Sequence, residues 1–387
     1  MKKVIVVPDS FKGTLTSLEA AEEMKRGILQ VFPDCEIHTI PVADGGEGTV
    51  DCFLAALGNG ELIPVRPTNA FGETITARYA RFDVLPALFD SSPAGPAAVI
   101  EMASAAGLVQ AKGRLDPCHT TTYGVGTMIR HAVEHGCTSI ILGLGGSCTN
   151  DAGMGAAMAL GAVFYDKAGQ PFVPDAVSMD KIGRIDCSAV RTLLKGCTVT
   201  AMCDITNPMH GPRGAAHIFG PQKGADESTI ILLDHNLAAL AEVIKASLGL
   251  DVSELPGAGS AGAFGAGVVA FLGGTLKSGI ETLLDLSGFD RLLPGADMVF
   301  TGEGCTDSQS LGGKAISGIG RRANVYHVPV TVVSGSVPKD LGDLSAYGIT
   351  AVFSINHTPM PFERAILYTK ENLRRVMENL ARFSAAH

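Results

Sequence analysis

Acids, lysines, hydroxyls and glycines gather in a few short segments of this chain. The richest is Gly143-Leu-Gly-Gly-Ser-Cys-Thr-Asn-Asp151, where a glycine turn joins an apolar run to an alanine-rich one. Asp44-Gly-Gly-Glu-Gly-Thr49, Gly257-Ala-Gly-Ser-Ala-Gly262 and Gly302-Glu-Gly-Cys-Thr-Asp307 repeat the mixture of glycine, hydroxyl and carboxylate. Such segments suit an anion, because glycine lets the backbone approach closely and the first amides of a helix have no intrahelical acceptor. Tight turning from strand to helix would use the same glycines, so it is the company of several such loops that points to a ligand.

Phosphoryl transfer needs cations near the phosphates, carboxylates for magnesium, and an acceptor for the attacking hydroxyl's proton. Asp9, Lys12, Asp44 and Glu47 follow the ends of the first two expected strands, and Glu303 and Asp307 follow an expected strand at 298–301. A parallel sheet would bring all of them to one edge, although each acid taken singly could serve as a helix cap or turn former. A third region holds Asp204, after the apolar run Val199 to Met202, and Gln222 and Lys223 in a turn. His210 and His217 lack a third ligand at metal-binding spacing and read as ordinary loop or buried histidines.

Three other chemistries fit less well. Gly257-x-Gly-x-x-Gly262 matches the dinucleotide fingerprint by letter, with Glu281 at about the ribose distance, but no convincing strand precedes it. Gly313-Lys314-Ala315 has the lysine of a Walker A loop, but neither the glycine five positions before Gly313 nor the following Ser or Thr. Ser147 and Cys148 sit in no nucleophile elbow, which disfavours a hydrolase.

The elements that must position these residues read as α/β. Val4 to Val7 is a short apolar strand, Thr16-Ser-Leu-Glu19 fits a capping box, and Leu18, Ala21, Met24 and Ile28 follow helical spacing before a second strand from Glu36 to Val42. Matching apolar runs return at 298–301, 328–333 and 349–354, followed by an amphipathic helix over 362–383. Between them the texture changes: alternating strands at 74–82 and 98–102, a proline-rich stretch at 85–96, a strand at 138–144, and helices around 125–133, 152–160 and 237–248. The spacing therefore predicts a Rossmann-like or flavodoxin-like parallel-sheet domain, residues 1–65 and 293–387, interrupted by a second α/β domain at 66–292. The active site is expected in the cleft between them.

Composition bounds the partners. At 387 residues, 46% hydrophobic and 18% charged, the chain has ample core and two domains are expected. A formal charge of −9 without a Lys or Arg run argues against nucleic acid or a membrane surface. Nine cysteines, an odd number with no CxxC pair, match cytosolic usage, and with no apolar leader or span the protein is expected in the cytoplasm.

Six ordered motifs then resemble one family. Pro8-Asp-Ser-Phe-Lys-Gly13, Ala43-Asp-Gly-Gly-Glu-Gly-Thr49, Gly145-Gly-Ser-Cys-Thr-Asn-Asp151, Cys203-Asp-Ile-Thr-Asn-Pro208, Phe219-Gly-Pro-Gln-Lys-Gly-Ala225 and Thr301-Gly-Glu-Gly-Cys-Thr-Asp-Ser-Gln-Ser310 are similar to those of bacterial type I glycerate kinases. That resemblance implies ATP- and Mg²⁺-dependent phosphorylation of D-glycerate, commonly to 2-phosphoglycerate, by a monomer or homodimer with one domain inserted in the other. It implies Asp9, Ser10, Lys12, Gly45, Gly46 and Glu47 for the substrate, and Gly145, Gly146, Ser147, Thr149, Asn150, Asp151, Lys223 and Lys314 for the nucleotide. Asp204, Glu303 and Asp307 are expected on magnesium, with Asp44 or Asp204 orienting the hydroxyl and Lys12 fixing the substrate carboxylate. The chain departs from the family pattern at Cys148, where alanine is expected, at Ala152, where glycine is usual, and at Cys305, where arginine is usual. A small-ligand sensor and a nicotinamide-dependent dehydrogenase are the alternative readings.

Overall fold

A computed structural model describes the chain except for Lys12, Asp44, residues 85–94, Lys112, residues 307–313, Pro338, Pro359 and residues 386–387, together with the side chains of Lys314 and Phe362. Two compact units emerge: Met1–Asp44 with Asp51–Gly58 and Ile280–His387, and Gly45–Val50 with Asn59–Gly279. Strand pairing accounts for the earlier limit, which falls before 65. The strand Glu61–Val65 pairs antiparallel with Ala77–Phe82 and so belongs to the second sheet.

In the first unit, β1 (Lys3–Pro8), β2 (Glu36–Thr39), β12 (Met298–Cys305), β13 (Val330–Ser336) and β14 (Ala351–Ser354) form a parallel sheet in the order β14-β13-β12-β1-β2. Val4 to Val7 are fully buried, as expected of a strand covered on both faces. Counted along the chain, this is the flavodoxin-like order 2-1-3-4-5, in which the connections after β1 and β12 leave in opposite directions and open a crevice at their carboxyl ends. The capping box is formed: Thr16 accepts from the Glu19 amide, and Glu19 accepts from the Thr16 amide. The helix it starts, Ser17–Leu29, packs Met24 and Ile28 with Leu373 and Met377 of the helix Thr369–Ala385 in one core.

The second unit is built on β3 (Glu61–Val65), β4 (Ala77–Phe82), β5 (Ala97–Glu101), β6 (Ser139–Gly143), β10 (Thr198–Met202) and β11 (Thr275–Lys277), in the order β11-β10-β6-β5-β4-β3. The stretch from β5 to β11 is parallel, with antiparallel β4 and β3 added at one side. A small antiparallel sheet of β7 (Val163–Asp166), β8 (Pro171–Phe172) and β9 (Ile182–Asp186) is appended. The long helix Glu227–Leu248 starts where Asp226 accepts from the Thr229 amide at 2.8 Å and ends at left-handed Gly249. Its Leu233, Leu237, Leu240 and Ile244 are fully buried.

Leu142 lies in the middle of this parallel sheet with no exposed surface. Leu142→Ala should cost about 2–5 kcal/mol, whereas Val173→Ser at an exposed position should cost under about 0.5 kcal/mol, as urea denaturation will show.

Candidate active site

The carboxyl ends of the parallel strands in the second unit are level. Glu101, Gly143, Met202 and Lys277 are register partners across β5, β6, β10 and β11. Just beyond β10, one Asp204 oxygen accepts from Ser278 Oγ at 2.7 Å and from the Gly279 amide at 3.2 Å, which holds the carboxylate at this edge. Glu101 accepts from the Val50 amide at 2.6 Å and so draws the segment 45–50 to the same edge.

Backbone packs directly on backbone here. The Gly145 amide donates to Gly45 O at 2.9 Å, and a β-carbon on Gly145 would lie 2.6 Å from both Gly46 N and Cα. One on Gly143 would strike Gly45 O. The structure thus brings Gly45, Gly46, Gly145 and Gly146 into one corner, with Glu47 exposed beside them.

The loop after β6 is tied at several points. The Leu108 amide donates to Gly146 O, the Cys148 amide to Ala106 O at 2.9 Å, Thr120 Oγ1 to Cys148 O, Lys223 Nζ to Thr149 O at 2.7 Å, and the Ala152 amide to Gly262 O. Against this background the amides of Gly146, Ser147, Thr149, Asn150 and Asp151 have no acceptor among the described residues. Thr149 Oγ1 and both polar atoms of the Asn150 carboxamide are buried without a hydrogen-bond partner as well. Buried polar groups are nearly always paired, so a run of unpaired donors marks a place for an outside ligand rich in acceptors.

The origin of this cradle differs from the expected one. The helix is shorter than the expected 152–160, running Met154–Ala159 with left-handed Gly153 as its N-cap. Its first amides are already used: Asp151 accepts from Gly153 and Gly155, and Thr122 Oγ1 accepts from Ala156. Asp151 also accepts from the Thr122 amide and hydroxyl, both at 2.8 Å. It is therefore an internal staple, and the unpaired amides belong to the loop ahead of the helix.

Lys223 departs from expectation in the same way. Its side chain is buried and directed at Thr149 O, so its ammonium faces the interior of the loop. Burial pulls it down to about 8, against the nearby Cys148 and Asp151, which pull it up. Burial likewise pushes Asp151 upward, opposed by the hydrogen bonds from Thr122, Gly153 and Gly155, and raises the Cys148 thiol to about 11.

In the first unit, the Asp9 amide donates to Gly302 O at 2.8 Å, which sets Asp9 and Ser10 beside β12 at the topological switch. Glu303 lies inside β12, paired in register with Ser334 of β13, because the strand runs on through the glycines to Cys305. Lys12, Asp44 and Asp307 lie outside the described residues; Lys314 begins the helix Lys314–Val325. Among the described residues no group of three or more His, Cys, Asp or Glu side chains could hold a metal ion. The 257–262 segment follows no strand, and Ala261, Gly262 and Ala263 adopt left-handed angles as they pack on the 149–152 loop, which removes the dinucleotide reading.

Sequence reasoning missed Glu101 and Thr122. The acid at the end of Ala97-Ala-Val-Ile100 was a usable signal, since it stands at a strand's carboxyl end; Thr120-Thr-Thr122, just ahead of a helix, carries no comparable signal.

A model of the glycerate kinase family matches residues 4–385. The chain belongs to the glycerate kinase family. It is 42% identical to the glycerate kinase of Bacillus cereus (strain ATCC 10987 / NRS 248) and 41% identical to the glycerate 2-kinase of Escherichia coli (strain K12), covering 98% of this chain and 97% of each relative. A solved structure of a glycerate kinase 2 from Salmonella typhimurium LT2 superposes with a TM-score of 0.82 at 38% identity, covering 100% of this chain and 98% of that one. These matches support the kinase reading and give none to a sensor or a dehydrogenase. No helix among the described residues is long and apolar enough to cross a membrane.

The burial of Lys223 in this glycerate kinase has a measurable pH signature. Its proton leaves near 8 in the folded chain but near 10.5 in the unfolded one, so stability should rise between about pH 8 and 9, where only the unfolded state holds that proton. Above that range the Cys148 thiol, shifted from 9.0 up to about 11, works in the opposite direction. Urea denaturation across the range should show the rise in the wild type and its absence in Lys223→Met.

Proposed function

We propose that this protein is an ATP-dependent D-glycerate kinase that transfers the γ-phosphoryl group to the 2-hydroxyl, giving 2-phosphoglycerate and ADP. The observation that carries the reading is the run of unpaired amides at Gly146, Ser147, Thr149, Asn150 and Asp151 beside the level strand ends of the second unit. Phosphate oxygens are the acceptors such a run suits, because they offer several lone pairs and full negative charge to donors already held in place. Thr149 Oγ1 and the Asn150 carboxamide add side-chain capacity at the same loop.

The transfer itself is an in-line displacement. The glycerate hydroxyl oxygen forms a bond to the γ-phosphorus, the bond from that phosphorus to the bridging oxygen breaks, and ADP leaves with the electron pair. The hydroxyl proton passes to a carboxylate, Asp204 or Asp44. Asp204 is the better supported, since Ser278 and Gly279 fix one of its oxygens and so set the direction of the carboxylate. Gly45, Gly46 and Glu47, next to Gly145, are proposed to bind glycerate; in the first unit Asp9, Ser10 and Lys12 are proposed for the same substrate, Lys12 for its carboxylate.

Magnesium, when bound, would neutralise charge on the β- and γ-phosphates. Glu303 and Asp307, with Asp204 where Asp44 is the base, would supply hard oxygen donors of the kind this ion takes, and magnesium needs few of them because it keeps several waters. Lys314 remains the proposed lysine for the phosphates, since Lys223 is committed to Thr149 O.

Incubation with D-glycerate and magnesium ATP should give glycerate-dependent ADP, and phosphorus NMR of the product should show a phosphate on the 2-position. A phosphate on the 3-position would correct the regiochemistry, and ADP release indifferent to glycerate would overturn the reading. Asp204→Asn should lower kcat by about a hundredfold or more if Asp204 is the base, with Asp44→Asn the competing case. Near-normal turnover in both variants would remove the assignment.

A further inference from the structure

The hydrogen bond from Lys223 gives this buried residue a task of its own. Lys223 closes the turn Pro221–Lys223, is only 1% exposed, and donates from Nζ to Thr149 O at 2.7 Å, its one hydrogen-bond acceptor among the described residues. The carbonyl of Thr149 and the N–H of Asn150 belong to a single peptide unit. In a trans peptide these two groups point in opposite directions across a rigid plane, so fixing the carbonyl also fixes the amide.

No other hydrogen bond holds that peptide among the described residues, and its remaining support is packing against the Gly262 backbone. The Asn150 amide has no acceptor, and neither the Asn150 carboxamide nor Thr149 Oγ1 has a partner. The flanking peptides have anchors of their own: Cys148 N and O bond to Ala106 and Thr120, the Asp151 carboxylate to Thr122, Gly153 and Gly155, and Ala152 N to Gly262. Without Lys223 only the packing against Gly262 would resist rotation of the 149–150 peptide between its two fixed ends, and no hydrogen bond would set the direction of its amide.

We propose that Lys223 is a positioning residue for the nucleotide: its ammonium draws the Thr149 carbonyl into the interior and thereby aims the Asn150 amide at phosphate, without touching the phosphate itself. The proposal rests on the loop 145–151 being the nucleotide site. A charged donor holds a carbonyl more firmly than a neutral one and polarises the peptide, which strengthens the amide as a donor at its other end.

Two measurements separate this proposal from the reading it rests on. Hydrogen–deuterium exchange of the wild-type protein, with and without a magnesium-bound non-hydrolysable ATP analogue, should show protection over 145–152. Steady-state kinetics of Lys223→Met, which keeps the volume and removes the charged donor, should then show KM for ATP raised about tenfold or more, the order of one lost charge-assisted hydrogen bond. KM for D-glycerate should stay within about twofold, because the substrate side of the site does not depend on this peptide. If Lys223→Met does not fold, Lys223→Arg, whose planar head cannot reproduce the single Nζ contact, is read the same way with a smaller rise expected. An unchanged KM for ATP in the folded variant, or an equal rise in both KM values, overturns the positioning role while leaving the loop reading intact. Absence of protection in the wild type overturns the loop reading, and this proposal with it.

Discussion

A buried peptide N–H must find an acceptor or pay heavily for its lost hydration, on the order of 1–3 kcal/mol each. In the loop after β6 the amides of the buried residues Ser147, Thr149, Asn150 and Asp151 lack an acceptor among the described residues, while the carbonyls of Gly146, Cys148 and Thr149 and the Asp151 carboxylate each accept a hydrogen bond. That asymmetry requires a rigid frame, since a pliable loop would relax and pair its amides internally. The frame is visible in detail: Gly45, Ala106, Leu108, Thr120, Thr122, Lys223 and Gly262 each hold one point of the loop. Donors kept in place before a ligand arrives need no reorganisation when charge moves onto the phosphate, which is the usual source of electrostatic catalysis.

The frame in turn depends on close backbone approach. Gly143 and Gly145 admit the 45–46 segment where any β-carbon would collide with it. On the other side the chain accepts left-handed backbone at Ala152, Ala261 and Ala263, residues that adopt it only at some cost. Ala152 stands where glycine is usual in the family pattern, and its φ of 51° shows that the turn is kept and the strain accepted. Cys148 is buried with its amide bonded to Ala106, so the larger sulfur side chain is taken up by packing and the loop's hydrogen bonds are retained.

Much of this was legible in the residues. Apolar runs such as Val4–Val7 located buried parallel strands, the Thr16–Glu19 box located a helix start, and glycine loops at strand ends pointed to the segments proposed to face the ligand. Less legible were features set by tertiary contact. Asp151 and Lys223 are polar residues inside ligand-type motifs, and pattern alone could not distinguish a side chain that meets a ligand from one that faces inward to shape the loop. Glu303 was read as a loop residue because glycines usually end strands, yet pairing with Ser334 of β13 carries the strand past it. The limit of the second sheet was displaced because β3 is short and mostly exposed, so its partner strand, not its own pattern, assigns it.

Under the proposed function, the amides of the 146–151 loop cradle the phosphates. A crystal structure with a non-hydrolysable ATP analogue and magnesium measures it directly. The account predicts phosphate oxygens within hydrogen-bonding distance of several of the amides of Gly146, Ser147, Thr149, Asn150 and Asp151, with Lys223 still bonded to Thr149 O. Phosphates bound elsewhere, with those amides still unpaired, would contradict it.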